Sequence, residues 1–245
     1  MRNIKLTIEY DGKDFNGWQK QPGKDNIQGT IEKVIASIVG EEVELNASGR
    51  TDAGVHAWGQ VANFKTNSNL PIEKFAIAIN SRVKNSIVIK KAEEVPEEFH
   101  ARYACKKKTY QYVIDNSTYG SAIYRNLTYH VSAPLDVINM QKAIQYFIGE
   151  HDFKAFKASG TSSKSSVRTI YDAKVLKEKD NIVIFLTGNG FLYNMVRIIA
   201  GTLVEVGLNK RKPEDIKTII ESKKRENAGK TLPPQGLYLA NVIYD

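Results

Sequence analysis

Ile4, Leu6, Ile8 and Tyr10 alternate with Lys5, Thr7 and Glu9, the period-two pattern of a half-buried strand. Asp11-Gly12-Lys13-Asp14 turns the chain, and a polar loop carrying Phe15, Gly17, Trp18, Gln19 and Gln21 follows. From Asn26, a good N-cap, Ile27, Ile31, Val34, Ile35 and Ile38 share one helical face until Gly40 ends the run. Val43, Leu45 and Ala47 alternate with polar residues, and a second extended run covers Ala57 to Phe64. After Pro71 a second helix presents Phe75, Ile79 and Val83, and Ile87-Val88-Ile89 forms a strand leading to Pro96. These elements read β-α-β-β-α-β.

The second half repeats that order. Lys108 to Ile114 is a strand with Tyr110, Tyr112 and Ile114 on one face. Pro134 to Ile148 shows Val137, Met140, Ala143, Ile144 and Phe147 at helical spacing. Arg168 to Leu176 and Ile182 to Leu186 form a hairpin turning at Lys179-Asp180-Asn181. A long helix spans Phe191 to Val206 and ends at Gly207, a short charged helix follows Pro213, and Leu237 to Tyr244 is the last strand. The expectation is an α+β protein of two ferredoxin-like halves, residues 1–104 and 105–245, with antiparallel sheets joined around a central cleft that would hold a ligand. The boundary falls between His100 and Lys107, and the small, polar loop Ala158–Ser166 is expected to be mobile.

A hydrophobic fraction of 42% supports a core and argues against disorder. Thirty-five Lys and Arg against 27 Asp and Glu leave a net charge of +8, compatible with a polyanionic partner or with a surface that is basic for solubility. The single cysteine, Cys105, permits no intrachain disulfide and no cysteine cluster for zinc, and His56, His100, His130 and His151 are scattered. No apolar signal core follows Met1 and no run is long enough to span a bilayer, so the expectation is a cytoplasmic protein without a metal or a membrane association.

Candidate chemistry concentrates at Gly49-Arg50-Thr51-Asp52-Ala53-Gly54-Val55-His56, where an acid and a guanidinium lie two residues apart in a bend between two strands. That placement suits a carboxylate that must meet a substrate at a fixed angle, and equally an Asp that caps its own turn. In the long helix, Arg197 sits in the middle of an almost all-apolar surface; it requires an acceptor, for which Asp52 is one candidate, or it snorkels or pairs with a structural acid. Tyr110 and Tyr112 beside Lys106-Lys107-Lys108 suit a flipped base and its phosphates, but Tyr112 reads better as core. Lys210-Arg211-Lys212 and Lys223-Lys224-Arg225 read as solvated helix ends. His151-Asp152 reads as a turn or cap, because neighbours on a chain seldom face one another. Ser159 to Ser166 lacks a nucleophile elbow, and Gly188-Asn189-Gly190 lacks the lysine of a phosphate loop. An RNA-binding module without catalysis would carry aromatic boxes on its central strands, which are absent; a ferredoxin-like metabolic enzyme acting on a small anion stays open from the residues alone.

Taken together, the blocks resemble the tRNA pseudouridine synthase A family. The motif Gly49 to Ala57 is similar to that family's active-site motif. Phe15-x-Gly17-Trp18-Gln19-x-Gln21, Lys108-x-Tyr110-x-Tyr112, Gly149-x-His151-Asp152-Phe153-x-x-Phe156, Arg168-Thr169-Ile170, Gly190 to Arg197 and Gly236-Leu237-Tyr238-Leu239 follow in the family's order, so the likeness spans nearly the whole chain. Gln111 stands where many members carry Arg, and Thr231-Leu232-Pro233 where Thr-Ala-Pro is commoner. The resemblance implies the pseudouridine synthase fold and isomerisation of uridine to pseudouridine at positions 38, 39 and 40 of the tRNA anticodon stem-loop. It further implies a homodimer with tRNA as its partner and no metal or organic cofactor. By the same likeness Asp52 is catalytic, and Tyr110, Arg50 and Arg197 bind substrate.

Overall fold

A computed structural model describes residues 1–160 and 165–244. The central part of the serine-rich loop, Thr161 to Lys164, lies outside the described residues. The chain divides into two compact units, one formed by Met1–Lys106 with Tyr238–Asp245 and the other by Lys107–Leu237.

The first unit is built on β1 (Arg2–Tyr10), whose inward residues Ile4, Leu6 and Ile8 are fully buried. The helix α1 (Ile27–Val39) starts and stops where the sequence indicates: the Asn26 side chain accepts the Gly29 N–H, and Gly40 closes it in the left-handed conformation. The strand β2 is shorter than the alternation suggests, only Asn46–Ala47. Val43 and Leu45 are nevertheless buried; Leu45 gives its N–H to the Glu32 carboxylate on α1 instead of to a neighbouring strand. Then come β3 (His56–Thr66), α2 (Ile72–Asn80) and β4 (Ile87–Val95). The strand β1 lies between β4 and β3, antiparallel to both, and β2 pairs antiparallel with the far side of β3 through Asn46–Asn63 and Ala47–Ala62. The order β4-β1-β3-β2 is that of a ferredoxin-like unit. Phe75 of α2 meets Phe64 of β3 edge-on, with ring centroids 5.9 Å apart.

The second unit holds β5 (Lys107–Asp115), β6 (Tyr129–His130), α3 (Val137–Ile144), β7 (Gly149–Asp152), β8 (Val167–Glu178), β9 (Asn181–Gly188), α4 (Met195–Gly207) and α5 (Asp215–Ser222). Its strands run β5-β9-β8-β7, antiparallel throughout, with β6 parallel to the end of β5. Several boundaries differ from the periodicity. Asp136 caps α3 two residues after Pro134, and Gln145–Phe147 tightens into a 3-10 turn, because Ile148 is already extended. His151-Asp152, read as a turn or cap, ends the edge strand Gly149–Asp152, and Asp152 does cap the 3-10 turn Phe153–Phe156. His151 faces the Ile148 carbonyl while Asp152 holds Ser166 and Lys223, so the two side chains serve separate partners. Phe147, Phe153 and Phe156 form one aromatic cluster in this core. The helix α4 begins at Met195, not Phe191, because Asn194 takes a left-handed conformation (φ 60°) and breaks the helical path. Arg197 is therefore in the first turn of α4.

The last strand, β10 (Leu237–Ile243), corrects the repeat. Periodicity assigns it to the second half, yet its residues from Tyr238 belong to the first unit and pair parallel with β3 at Tyr238–His56 and Leu239–Ala57. Both strands are brought close by glycine: a Cβ on Gly59 would lie 2.9 Å from the Ala240 carbonyl oxygen. Thus β3 carries β2 along its C-terminal half and β10 at its N-terminal end, and the Asp52 bend enters β3 beside β10. Among the described residues no helix is long and apolar enough to cross a membrane.

Candidate active site

The bend is held from its backbone outward. Asp52 accepts the Val55 N–H at 3.1 Å through its carbonyl, and Gly54 between them has φ 76°, the positive angle that a type II turn requires at its third position. The preceding residue, Thr51, is buried; its hydroxyl is 2.8 Å from the Tyr10 hydroxyl, and its carbonyl accepts the Trp18 N–H at 3.0 Å. Gly49 is tied down by Gln60, whose amide donates to the Gly49 carbonyl at 2.9 Å while its oxygen accepts from the Ser48 hydroxyl and the Val61 N–H. Gln60 is a wholly buried polar side chain on β3, and its whole hydrogen-bonding capacity is spent on this corner. Burial pushes the Tyr10 phenol well above its ordinary value, opposed by its bonds to Thr51 and Gln60, so it remains a neutral strut.

Two glycines let the loop 11–18 press against the bend. A Cβ on Gly12 would sit 2.0 Å from the Val55 carbonyl oxygen. On Gly17, with φ 84°, it would sit 2.6 Å from the Thr51 carbonyl oxygen. On the other side His56 is buried and stacked on Tyr238, and Tyr238 in turn stacks on the exposed Trp58, ring planes 5° apart. The Nδ1 of His56 lies 3.1 Å from the Gly12 N–H and 3.0 Å from an Asp11 carboxylate oxygen. Nδ1 accepts from Gly12 when bare and donates to Asp11 when protonated, and serves one of them at a time.

Within this frame Asp52 is half-buried and Arg50 exposed, both in the first unit. The sequence singles out these two but not their frame: Tyr10 and Gln60 are read as strand residues, Gly12 as part of a turn, and Gly17 as part of a loop and of a family block with no tie to the bend. A polar glutamine in the apolar run of β3 was the available signal for the last.

Tyr110 and Arg197 belong to the second unit. Tyr110 is 9% exposed and meets Phe191 edge-on, centroids 5.0 Å apart. Phe191 stands in the turn ahead of α4, so the break at Asn194 sets that ring against the tyrosine. Tyr112 is fully buried and its hydroxyl donates to the Pro233 carbonyl at 2.7 Å, which makes it core, as its spacing suggests. Burial raises its phenol while the Arg197 guanidinium opposes the shift. Arg197 is half-buried. Its Nε donates to the Leu232 carbonyl at 2.6 Å and one terminal nitrogen donates to the Asn194 side chain at 2.7 Å. Its position in the first turn means it does not have to be swallowed by the helix's apolar circumference. Arg168, on β8, donates to the Ser165 and Val167 carbonyls, and burial lowers its pKa. Among the described residues no group of three or more His, Cys, Asp or Glu is placed to hold a metal.

A family model described as tRNA pseudouridine synthase matches residues 6–104 and 143–245. The chain is 57% identical over 244 residues to the tRNA pseudouridine synthase A of Caldicellulosiruptor saccharolyticus, covering 100% of both chains. It is 55% identical over 244 residues to that of Caldicellulosiruptor bescii and 54% identical over 245 residues to that of Acetivibrio thermocellus, again with 100% of both chains covered. The family model covers most of the chain and these relatives match it from end to end at more than half identity, so the protein belongs to the tRNA pseudouridine synthase family.

Proposed function

We propose that this protein isomerises uridine to pseudouridine at positions 38, 39 and 40 of the tRNA anticodon stem-loop, with Asp52 as the catalytic group. The observation that carries the assignment is the construction of the Asp52 bend. Buried Thr51, Tyr10 and Gln60 and the close approach of Gly12 and Gly17 hold its backbone, while Asp52 as a residue is half-buried. A carboxylate that only capped its turn would not require a frame of buried side chains around its neighbours.

The reaction breaks the bond between uracil N1 and the ribose, turns the base, and joins the ribose to uracil C5. The C5 hydrogen leaves as a proton and N1 takes one up, so the balance needs no oxidant or phosphoryl donor. Ionised Asp52 acts on the base or the sugar as the glycosidic bond breaks. The target base leaves its stack at a cost of about a few kcal/mol. We assign packing on the extruded ring to Tyr110, whose own orientation is fixed by Phe191. Arg50 and Arg197 supply charge to the substrate, Arg50 from an exposed position suited to phosphate. The basic balance of the chain favours tRNA as partner. We further assign the protein to the cytoplasm, where tRNA is modified, and to a homodimer, by likeness to its family.

Asp52→Asn is the test. It keeps the carboxylate's shape and removes its charge, so fold and tRNA binding persist. Tritium release from tRNA labelled at uracil C5 falls by roughly 10⁴-fold or more. Release within tenfold of the unsubstituted protein would sink the assignment.

A further inference from the structure

We infer that the segment 228–233 is a strap that positions Arg197 for the reaction, and that Thr202 is the residue that locks it. The inference rests on the reading of Arg197 as a substrate-binding residue.

The strap runs along α4 closer than side chains permit. A Cβ on Gly201 would lie 1.9 Å from the Lys230 carbonyl oxygen, and one on Gly229 would lie 2.7 Å from the Thr202 nitrogen. Glycine on both partners brings backbone against helix, and the gap is closed by hydrogen bonds. The Thr202 hydroxyl is fully buried; it donates to the Ile198 carbonyl at 2.9 Å and accepts the Gly229 N–H at 2.9 Å. One turn of helix earlier, the Leu232 N–H donates to the Arg197 carbonyl at 3.2 Å. Arg225 grips the strap from the other side, donating to the carbonyls of Ala228 and Gly229 and to the Thr231 hydroxyl.

At its far end the strap presents two consecutive carbonyls. Leu232 accepts from Arg197 Nε at 2.6 Å, and Pro233 accepts from the Tyr112 hydroxyl at 2.7 Å. Leu232 is itself fully buried, so this end cannot shift without opening the core. The same short stretch of backbone therefore sets the direction of the Arg197 guanidinium and its distance from the strand that carries Tyr110. A guanidinium whose Nε is committed to a fixed carbonyl has lost the rotation about its stem, and its terminal nitrogens are aimed in advance. Thr202, some distance along the helix from Arg197, is a positioning residue: it touches the strap and acts on the arginine through it.

Single-turnover conversion of tRNA, with full chain in excess, tests this with Thr202→Val, Thr202→Ser, Arg197→Ala and the double variant Thr202→Val/Arg197→Ala. Valine keeps the buried volume and leaves the Gly229 N–H without its acceptor; serine keeps the acceptor. The expected result is a maximal rate lowered about tenfold to a hundredfold in Thr202→Val, with the protein concentration that gives the half-maximal rate changed little. Thr202→Ser restores the rate, and the double variant is no slower than Arg197→Ala alone. Loss in Thr202→Val that multiplies with the loss in Arg197→Ala, or a Thr202→Val rate equal to the unsubstituted one, would overturn the strap while leaving Arg197 in its assigned role. An Arg197→Ala rate equal to the unsubstituted one would instead remove that assigned role, and the strap inference with it.

Discussion

At the scale of single residues, the Asp52 bend depends on atoms that are missing. Gly17 combines a positive φ with a Cβ position 2.6 Å from a backbone oxygen of the bend, so alanine there meets strain and collision together. Gly17→Ala is expected to destabilise the first unit by about 1–3 kcal/mol, read as a lower urea midpoint. Its activity loss at a temperature where the variant stays folded should exceed that of an equally destabilising core change such as Ile35→Val. Equal losses for the two would mean that the bend tolerates displacement. The motif Gly49 to His56 is plain in the sequence because an acid and a guanidinium between glycines are visible without coordinates. That Gly12 and Gly17 serve the same bend is not visible, since the contact is to backbone oxygens some forty residues away and no side chain records it.

At the scale of elements, caps and edges decide where periodicity stops. Asn26 and Gly40 bound α1 as their types dictate, because the capping groups are local. Asn194 broke the expected long helix through a left-handed backbone that neither the hydrophobic pattern nor propensity signals. Asp152 joins the β7 edge, the turn Phe153–Phe156 and α5's end. It accepts the Lys154 N–H, takes the Ser166 hydroxyl at 2.5 Å and lies 3.2 Å from Lys223 Nζ. The Ser166 bond chiefly, with help from Lys223, holds its carboxyl below the ordinary 3.8. A carboxylate lowered in the folded state adds stability above its unfolded pKa and loses it as pH falls through the folded one. The stability advantage of the natural chain over Asp152→Asn should therefore be full at neutral pH and shrink below about pH 4. Urea unfolding at a series of pH values checks this; a difference independent of pH would show that the charge contributes nothing there.

At the scale of the molecule, a net charge of +8 sets how a polyanion is met. Binding of tRNA should weaken by about tenfold or more as salt rises from roughly 50 to 200 mM, the result of releasing counterions at several phosphates. Arg50→Ala should lower the slope of log affinity against log salt by about 1. An unchanged slope would remove Arg50 from the phosphate contacts. The order of residues along the chain is enough for the charge, the antiparallel β-α-β-β-α-β order of the first unit, the bounds of α1 and the acid-bearing motif. All of these rest on residue type, period or neighbours close along the chain. The folded chain alone reveals that β10 lies parallel to β3 beside the Asp52 bend, that Gln60 and Tyr10 support that bend, and that Arg197 leans on the Leu232 carbonyl. Each of those joins backbone or buried polar groups from distant parts of the chain, and a hydrogen bond to a carbonyl is open to every residue type alike, so it leaves no mark in the order of side chains.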